Sequence, residues 1–199
     1  MSTEYTKRQL KMIDTASKRQ PDLKLVLENI HDPHNVSAIM RTCDAVGIPL
    51  ISLVYTTEKF PKIGKKSSAS AFKWVEREKF NSISECYDNL KSSGLTIYAS
   101  TLEADSVSIF DVDFTVPCAI VMGNEHRGIS EDAAVQSHKK VYIPMHGMVQ
   151  SLNVSVATAI ILYEAARQRQ HKEMYINSPT DKTQLIVEKY LKKINFFQP

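Results

Sequence analysis

Residues 143–170, IPMHGMVQSLNVSVATAIILYEAARQRQ, contain the end of a strand, a polar loop and a long helix. The apolar residues at 141–143 predict the strand, and Ser151 is the predicted start of a helix that runs to about residue 170. Apolar side chains point in nearly every direction around this helix, and such a helix must be covered on all sides. Either the rest of the chain or a second copy supplies the cover, and the sequence leaves both open.

Strands and helices alternate along the rest of the chain. Apolar runs predict strands at 23–27, 50–54, 95–99 and 117–122, with a weaker one near 74–75. Helical spacing and capping signals predict helices at 4–19, from the turn at 32–35 to Gly47, at 82–92, from Ser130 and at 181–195. This alternation is typical of an α/β fold with a parallel sheet and helices on both faces.

The charge of the chain is divided unevenly, although the net charge is only +3. Residues 1–20 hold five basic and two acidic residues, and residues 165–199 hold seven basic and three acidic residues. Basic ends on an acidic body indicate a polyanionic partner, although solvated helix faces have the same composition. The candidate contact residues are Lys7, Arg8, Lys11, Lys18, Arg19, Arg167, Lys189, Lys192 and Lys193.

Several classes of protein are disfavoured by what the sequence lacks. The longest apolar run, residues 156–163, is too short to span a membrane, and the N-terminus has no apolar segment typical of a secretory signal. Three scattered cysteines favour a reducing cytoplasm, and neither they nor the six histidines form a metal-ligand pattern. The absence of GxGxxG after the first strand and of GxxxxGK[ST] disfavours nicotinamide and nucleoside triphosphate enzymes. We therefore expect a cytoplasmic protein without a membrane segment or a metal.

Three loops that follow predicted strands carry more polar residues than packing requires. They are residues 28–35, 123–128 and 144–153. In open parallel sheets, ligands bind beyond the carboxyl ends of the strands, so loops that converge there predict a binding site.

Taken singly, the polar residues of these loops also have structural interpretations. Asn35 and Ser151 are suited to capping helices, and Arg41 is three residues from Asp44, the spacing of a helical ion pair. Glu125 is equally suited to a solvated loop, so single residues do not decide between structure and function.

Together, three segments resemble the motifs of one family. NIHDPHNVSAIMRTCDAVGI at 29–48, VMGNEHRGIS at 121–130 and the opening stretch at 143–170 resemble, in that order, the three motifs of the SpoU-type RNA ribose methyltransferases. The third motif is long and specific, so a chance match is improbable. Within the second motif the variable pair is His126 and Arg127, to which the resemblance assigns at most a phosphate contact.

The resemblance implies a parallel α/β fold with a deep trefoil knot in its C-terminal part, and a homodimer packed through the knot region. It implies S-adenosylmethionine as methyl donor, with S-adenosylhomocysteine as product, held by backbone groups of the knotted loops. A Cβ at Gly123 would then obstruct the cofactor. The implied cofactor positions are Ser100, Thr101, Leu102, Met122, Gly123, Ile143, Pro144, Met145, Met148, Ser151 and Leu152. The implied catalytic or RNA-facing positions are Asn35, Arg41, Glu125, Ser151 and Asn153.

Within the family, the short N-terminal arm and the basic C-terminal helix resemble members that methylate guanosine 18 of tRNA. The implied partner is therefore tRNA, and the implied division is a basic arm at 1–20, a SpoU-type domain at 21–170 and a basic helical extension at 171–199. One alternative is an rRNA-directed member, which is disfavoured because no separate N-terminal substrate domain is seen. Another is a non-catalytic RNA-binding protein, which is disfavoured by the intact set of catalytic positions.

Overall fold

The computed structural model describes residues 5–61 and 71–195, which form one open sheet with helices on both faces. The strands are β1 (Leu23–Glu28), β2 (Leu50–Val54), β3 (Glu76–Phe80), β4 (Thr96–Ser100), β5 (Val107–Ser108), β6 (Cys118–Met122) and β7 (Lys139–Tyr142). Every neighbouring pair runs parallel, in the order β3-β2-β1-β6-β4-β7-β5. The predicted parallel α/β class is confirmed, while the knot stays a prediction.

The helices bury both faces of the sheet. They are α1 (Lys7–Ser17), α2 (Pro33–Val46), α3 (Ile83–Ser92), α4 (Glu131–Gln136), α5 (Val154–His171) and α6 (Gln184–Asn195). Helices α2 and α5 share one core with Leu25, while α3 and α4 share the other with Val26. Adjacent residues of a strand point to opposite faces, so β1 contributes to both cores. This is why β1 and β6 are apolar without alternation.

Two helix starts differ from the sequence-based expectation. The carboxylate of Asp32 accepts a hydrogen bond of 2.7 Å from the backbone N–H of His34, so Asp32 rather than Asn35 caps α2. Asn153 caps α5 by accepting hydrogen bonds from two backbone N–H groups. The predicted start at Ser151 is therefore wrong by a few residues. The amide of Asn is a strong cap acceptor, and residues 151–152 stay outside the helix.

The edges of the sheet also depart from the prediction. Strand β5 has only two residues, which is too short for a periodic pattern. Strand β3 begins after the weak strand expected near 74–75, and its sequence EREKF is rich in charge. Charged side chains are typical of an edge strand, where they discourage pairing with other chains, but they conceal the strand from a search for apolar runs.

The two basic arms of the sequence lie together in the structure. Helices α1 and α6 pack against each other through a small core that contains Met12, Ala16, Val187 and Tyr190. Lys189 on α6 is 2.9 Å from Glu76 at the start of β3, so the helix pair lies near the amino ends of strands. The division into 1–20, 21–170 and 171–199 stays a prediction.

Candidate active site

A cavity of about 360 Å³ lies at the carboxyl edge of the sheet, beside the ends of β4, β6 and β7. Three strand-end segments and the first turns of α5 form its wall. The lining residues are Ser100, Thr101, Leu102, Met122, Gly123, Asn124, Glu125, His126, Arg127, Gly128, Ile129, Tyr142, Ile143, Met145, Ser151, Leu152, Val154 and Ala157. The convergence of strand-end loops therefore creates a site at the predicted edge.

The predicted cofactor positions line this cavity, with two exceptions. Pro144 and Met148 are not part of its wall, and Met148 is 99% exposed. The loop faces solvent from residue 146 to residue 151. The cofactor roles of Pro144 and Met148 stay predictions. Ser151 is exposed and lines the cavity without a hydrogen bond to any described residue.

Four further lining residues, Ile129, Tyr142, Val154 and Ala157, were not singled out from the sequence. They are apolar or aromatic, and so they resemble ordinary core residues. The only available signal was their closeness to the strand ends and to the start of α5.

The loop at 123–128 is a tight turn closed by its own backbone. Asn124 and Gly128 exchange two backbone hydrogen bonds of 2.8 Å each. A Cβ built on Gly123 would lie 2.1 Å from the carbonyl carbon of Gly128 and 2.2 Å from the amide nitrogen of Ile129. Glycine is thus required at 123 because another part of the chain approaches. The expectation that the cofactor also requires glycine there stays a prediction, because Gly123 lines the cavity as well.

Glu125 joins this loop to the start of α2. Its carboxylate accepts hydrogen bonds from the backbone N–H groups of His31 and Asp32, at 3.0 and 3.1 Å, and from the Asn35 amide at 2.9 Å. Partial burial raises the pKa of Glu125, but the hydrogen bonds from Asn35 and the backbone outweigh it and hold the pKa below its usual value. Glu125 is therefore an ionised acceptor and not a solvated loop acid.

Asn35 extends the same network to α5. Its side-chain oxygen accepts a hydrogen bond of 3.0 Å from the amide of Asn153. Asn35 is nearly buried, and the amides of Asn35 and Asn153 connect Glu125 to the first turn of α5. Three predicted catalytic residues thus form one hydrogen-bonded chain across the starts of two helices.

Arg41 lies apart from this chain of hydrogen bonds. It is exposed on α2, has no hydrogen bond or ion pair with the described residues, and does not line the cavity. Its suggested partner Asp44 instead forms an ion pair with Arg19. The interpretation of Arg41 as a helical ion-pair partner is therefore wrong.

The predicted RNA-binding residues fall into three groups. Lys7, Arg8, Lys11 and Lys192 are exposed on α1 and α6 without an ion pair to a described residue. A second group is accessible to solvent but already has a partner. Its ion pairs are Lys18 with Asp14, Arg167 with Glu164 and Lys189 with Glu76, and the ammonium group of Lys193 lies over the ring of Trp74.

Arg19 forms the third group, because its side chain is only 1% exposed. Its Nε donates a hydrogen bond of 2.8 Å to the hydroxyl of Tyr190. The prediction that Arg19 contacts RNA is wrong, because the packing of α1 on α6 encloses it.

The described residues bring no three metal-ligating side chains together. Within that same part of the chain, no helix combines the length and apolar character needed to cross a membrane.

The fold and the cavity define the chain as an open parallel α/β protein with a ligand site beyond the carboxyl ends of its strands. Three of its polar residues, Asn35, Glu125 and Asn153, form one hydrogen-bonded network. The chain belongs to the SpoU rRNA Methylase family, whose model matches residues 22–163. The matched region contains all seven strands and the whole cavity wall.

Individual relatives agree with this membership. The chain is 44% identical over 173 residues to the tRNA (guanosine(18)-2′-O)-methyltransferase of Thermus thermophilus, covering 87% of this chain and 88% of that protein. The crystal structure of the A. aeolicus TrmH/SpoU tRNA modifying enzyme matches with a TM-score of 0.85 and 40% identity, over 94% of this chain and 96% of that one. The SpoU methyltransferase AviRb from Streptomyces viridochromogenes, crystallised with AdoMet, matches with a TM-score of 0.70 and 28% identity, over 77% and 62% of the two chains.

Proposed function

We propose that the chain is a cytoplasmic enzyme that transfers a methyl group from S-adenosylmethionine to the ribose 2′-hydroxyl of guanosine 18 in tRNA. The observation that carries the proposal is that the second motif (121–130) and the third motif (143–170) line one cavity. Hydrogen bonds to the carboxylate of Glu125 hold the first motif (29–48) beside them. Relatives of that activity support the choice of tRNA over rRNA, since one is 44% identical over most of both chains.

The cavity suits S-adenosylmethionine in size and in chemistry. Leu102, Ile143 and Leu152 offer apolar surface to an adenine ring, and the strand-end segments offer backbone hydrogen-bonding groups. A volume of about 360 Å³ falls within the usual range of small-ligand sites, roughly 300–1,000 Å³. The bound cofactor supplies an activated methyl group on a positively charged sulfur. The ionised Glu125 on the wall is favourable for a cationic ligand.

The residues of the chain must position the target ribose and allow its hydroxyl to lose a proton. The ribose hydroxyl must lose its proton as its oxygen attacks the methyl group. Glu125 is a poor acceptor for that proton, because its pKa is lowered and its oxygens already accept three hydrogen bonds. We assign to Glu125, Asn35 and Asn153 the positioning of the loops around the target ribose.

Arg41 is assigned an electrostatic role on the ribose side of the site. A guanidinium has a pKa above about 12 and is not deprotonated in proteins, so Arg41 is not the base. Its free guanidinium is suited to stabilise a developing alkoxide and to hold a neighbouring phosphate. The proton then leaves to a phosphate oxygen or to water.

The exposed basic residues of α1 and α6 are proposed to bind the RNA backbone. They lie near the amino ends of the strands, whereas the cavity lies at the carboxyl ends. Because a five-residue strand spans about 17 Å, an RNA that touches both regions must extend across the protein. An extended, folded polyanion such as tRNA meets that requirement, and phosphate contacts hold it without reading its sequence.

We further propose that the protein is a homodimer that covers the outer face of α5. Val156 and Tyr163 on this helix are 47% and 58% exposed, although most of the helix is apolar. The two residues are seven positions apart on α5 and so lie on one face of the helix. The described part of one chain leaves this face of α5 exposed. This favours a second copy of the chain, rather than the rest of the same chain, as its cover.

Mapping the modified nucleotide in a tRNA transcript tests the proposed function. The chain is incubated with S-adenosylmethionine and an unmodified transcript, and nuclease fragments are analysed by mass spectrometry. We expect one 2′-O-methylated guanosine at position 18, formed much more slowly by Arg41→Ala. A transcript with adenosine at position 18 is the matched control. Methylation of rRNA but not of tRNA, or of another tRNA nucleotide, would contradict the proposal.

A further inference from the structure

Two adjacent residues where β1 ends, Glu28 and Asn29, hold opposite ends of the loop between β6 and α4. At the start of this loop, the side-chain amide of Asn124 donates a hydrogen bond of 2.7 Å to the carbonyl of Asn29. At its end, the backbone N–H of Ser130 donates a hydrogen bond of 2.9 Å to the carboxylate of Glu28. Residues 124–129, from the first of these bonds to the second, all line the cavity. This part of the cavity wall is therefore fixed to β1 at both ends.

Asn29 adopts a backbone conformation that is uncommon for any residue other than glycine. Its φ is 52°, in the left-handed region, which asparagine tolerates better than most residues do. It is nearly buried, and its side-chain oxygen accepts hydrogen bonds of 2.9, 3.1 and 3.2 Å from the backbone N–H groups of residues 56–58, which follow β2. A buried residue keeps such a conformation where the surrounding contacts hold it, and these positions are common at functional sites.

The segment after β2 in turn supports the cavity wall. Nη2 of Arg127 donates hydrogen bonds of 3.2 Å to the hydroxyl of Thr57 and 2.8 Å to the carboxylate of Glu58. The side-chain oxygen of Asn124 accepts hydrogen bonds of 3.0 and 3.2 Å from the backbone N–H groups of the next two loop residues, 126 and 127. Asn29 is thus connected to the loop by two routes, through its carbonyl and through its side chain.

Glu28 fixes the point where the loop becomes α4. The backbone N–H of Ser130 is bound to Glu28, while the hydroxyl of Ser130 accepts a hydrogen bond of 3.2 Å from the N–H of Ala133 and so caps α4. Glu28 is only 3% exposed, and burying a carboxylate is unfavourable unless it is hydrogen-bonded. Its burial beneath the loop is consistent with a supporting contact, because its side chain does not reach the cavity.

We propose that Glu28 and Asn29 are positioning residues that hold the loop at 124–130 in the shape that binds S-adenosylmethionine. Neither residue lines the cavity, so both act through the loop rather than on the cofactor. The inference rests on the proposed function, because it concerns the site of the methyl donor. A binding site keeps its geometry when the residues behind it lock the residues that touch the ligand. A purely structural role would lower the free energy of unfolding but leave the cofactor affinity of the folded protein unchanged.

Calorimetric titration with S-adenosylmethionine, at a temperature where urea unfolding shows each variant to be folded, separates the two roles. Asn29→Gly accommodates the positive φ and keeps the carbonyl, but it loses the three hydrogen bonds of the side chain. Glu28→Met keeps a side chain of similar length without a carboxylate to accept from Ser130. Each variant should weaken cofactor binding by about 10-fold. Asn29→Asp and Glu28→Gln keep an acceptor oxygen and should recover most of the affinity.

Ser52→Ala is the matched control for a lost buried hydrogen bond. Ser52 on β2 is fully buried, donates a hydrogen bond of 2.7 Å to Glu78 and does not line the cavity. Its removal should lower stability without changing cofactor affinity. The inference is overturned if Asn29→Gly and Glu28→Met bind the cofactor as tightly as the wild type, or if Ser52→Ala weakens binding as much as they do. If the wild type itself does not bind S-adenosylmethionine, the proposed function fails and the inference falls with it; that failure shows before any variant is compared.

Discussion

The side-chain amide of Asn35 donates a hydrogen bond of 2.9 Å to the carboxylate of Glu125, across 90 residues of sequence. This bond fastens the loop after β6 to the first turn of α2, and Asn153 adds the first turn of α5. The polar residues that the sequence presents in three separate segments therefore act as one structural unit at the mouth of the cavity.

Glu125→Gln is expected to destabilise the fold and weaken cofactor binding. The amide of glutamine would place a donor against the N–H donors around Glu125, and a lost hydrogen bond to a charged group costs about 2 kcal/mol. Urea unfolding and calorimetric titration with S-adenosylmethionine measure the two effects. Glu131→Gln, on the first turn of α4, is the control and should change neither. Unchanged stability of Glu125→Gln would show that the network contributes little.

The stability difference between wild type and Glu125→Gln should depend on pH. In the folded chain the pKa of Glu125 lies below its usual value of 4.5: burial raises it, but the hydrogen bonds from Asn35 and the backbone prevail. Its stabilisation is thus complete above about pH 4.5 and is lost as the pH falls through the folded pKa. Unfolding experiments from pH 7 to pH 3 should show the gap shrinking in that window. A gap that widens at low pH would contradict the assignment.

Gly123→Ala is expected to weaken cofactor binding, because its Cβ would lie 2.1 Å from the backbone of Gly128 and must displace the loop. Strain of about 1–3 kcal/mol corresponds to roughly 5- to 150-fold in affinity where the loop forms the site. Gly147→Ala is a matched control, since a Cβ there meets nothing within 4 Å. Equal affinities of the two variants in calorimetry would reduce Gly123 to an ordinary loop residue.

Arg41→Ala should lower the rate of methyl transfer by about 10²–10³, the usual effect of removing one donor to a developing oxyanion. Cofactor affinity should be kept, because Arg41 does not line the cavity. Arg41→Lys should recover little activity. Single-turnover pH–rate profiles decide the matter: a lysine variant with near-full activity and an apparent pKa in the lysine range would support a true base instead.

Arg19→Ala and Lys11→Ala should have opposite consequences. Arg19 is enclosed by Asp44 and Tyr190, so its removal leaves a partly buried carboxylate unpaired and should cost about 2–3 kcal/mol of stability. Lys11 is exposed, so its removal should leave stability unchanged while weakening tRNA binding and reducing its salt dependence. Denaturation and filter-binding experiments compare the two. If Arg19→Ala were fully stable but bound tRNA more weakly, Arg19 would be an RNA-contacting residue after all.

Tyr163→Glu should convert the proposed dimer into monomers, because it places a charge on the exposed apolar face of α5. Light scattering after gel filtration gives the mass, and far-ultraviolet circular dichroism shows whether the fold is kept. Leu185→Glu is a suitable control, because Leu185 is equally apolar and 69% exposed but lies on α6. A wild type that is already monomeric would disprove the proposed assembly.

Much of the architecture could be predicted because it depends on local patterns. The apolar runs at β1, β2 and β6 and the helical spacing of α2 gave elements close to those observed. The predictions failed where a strand has no clear hydrophobic pattern or has the polar composition of a loop. β5 is too short to have a period, and β3 looks polar because it lies at the sheet edge.

The sequence by itself determined the parallel α/β class, the family resemblance and two of the loops that line the cavity, since these depend on periodicity and on residue identity along the chain. Only the tertiary structure decided which polar groups meet, because partners such as Asn35 and Glu125 are 90 residues apart. It also separated Arg19, which is enclosed, from Lys11, which is exposed, although both are basic residues of one arm. Charge and sequence position are properties of the chain, whereas burial and hydrogen bonding depend on what the fold brings alongside.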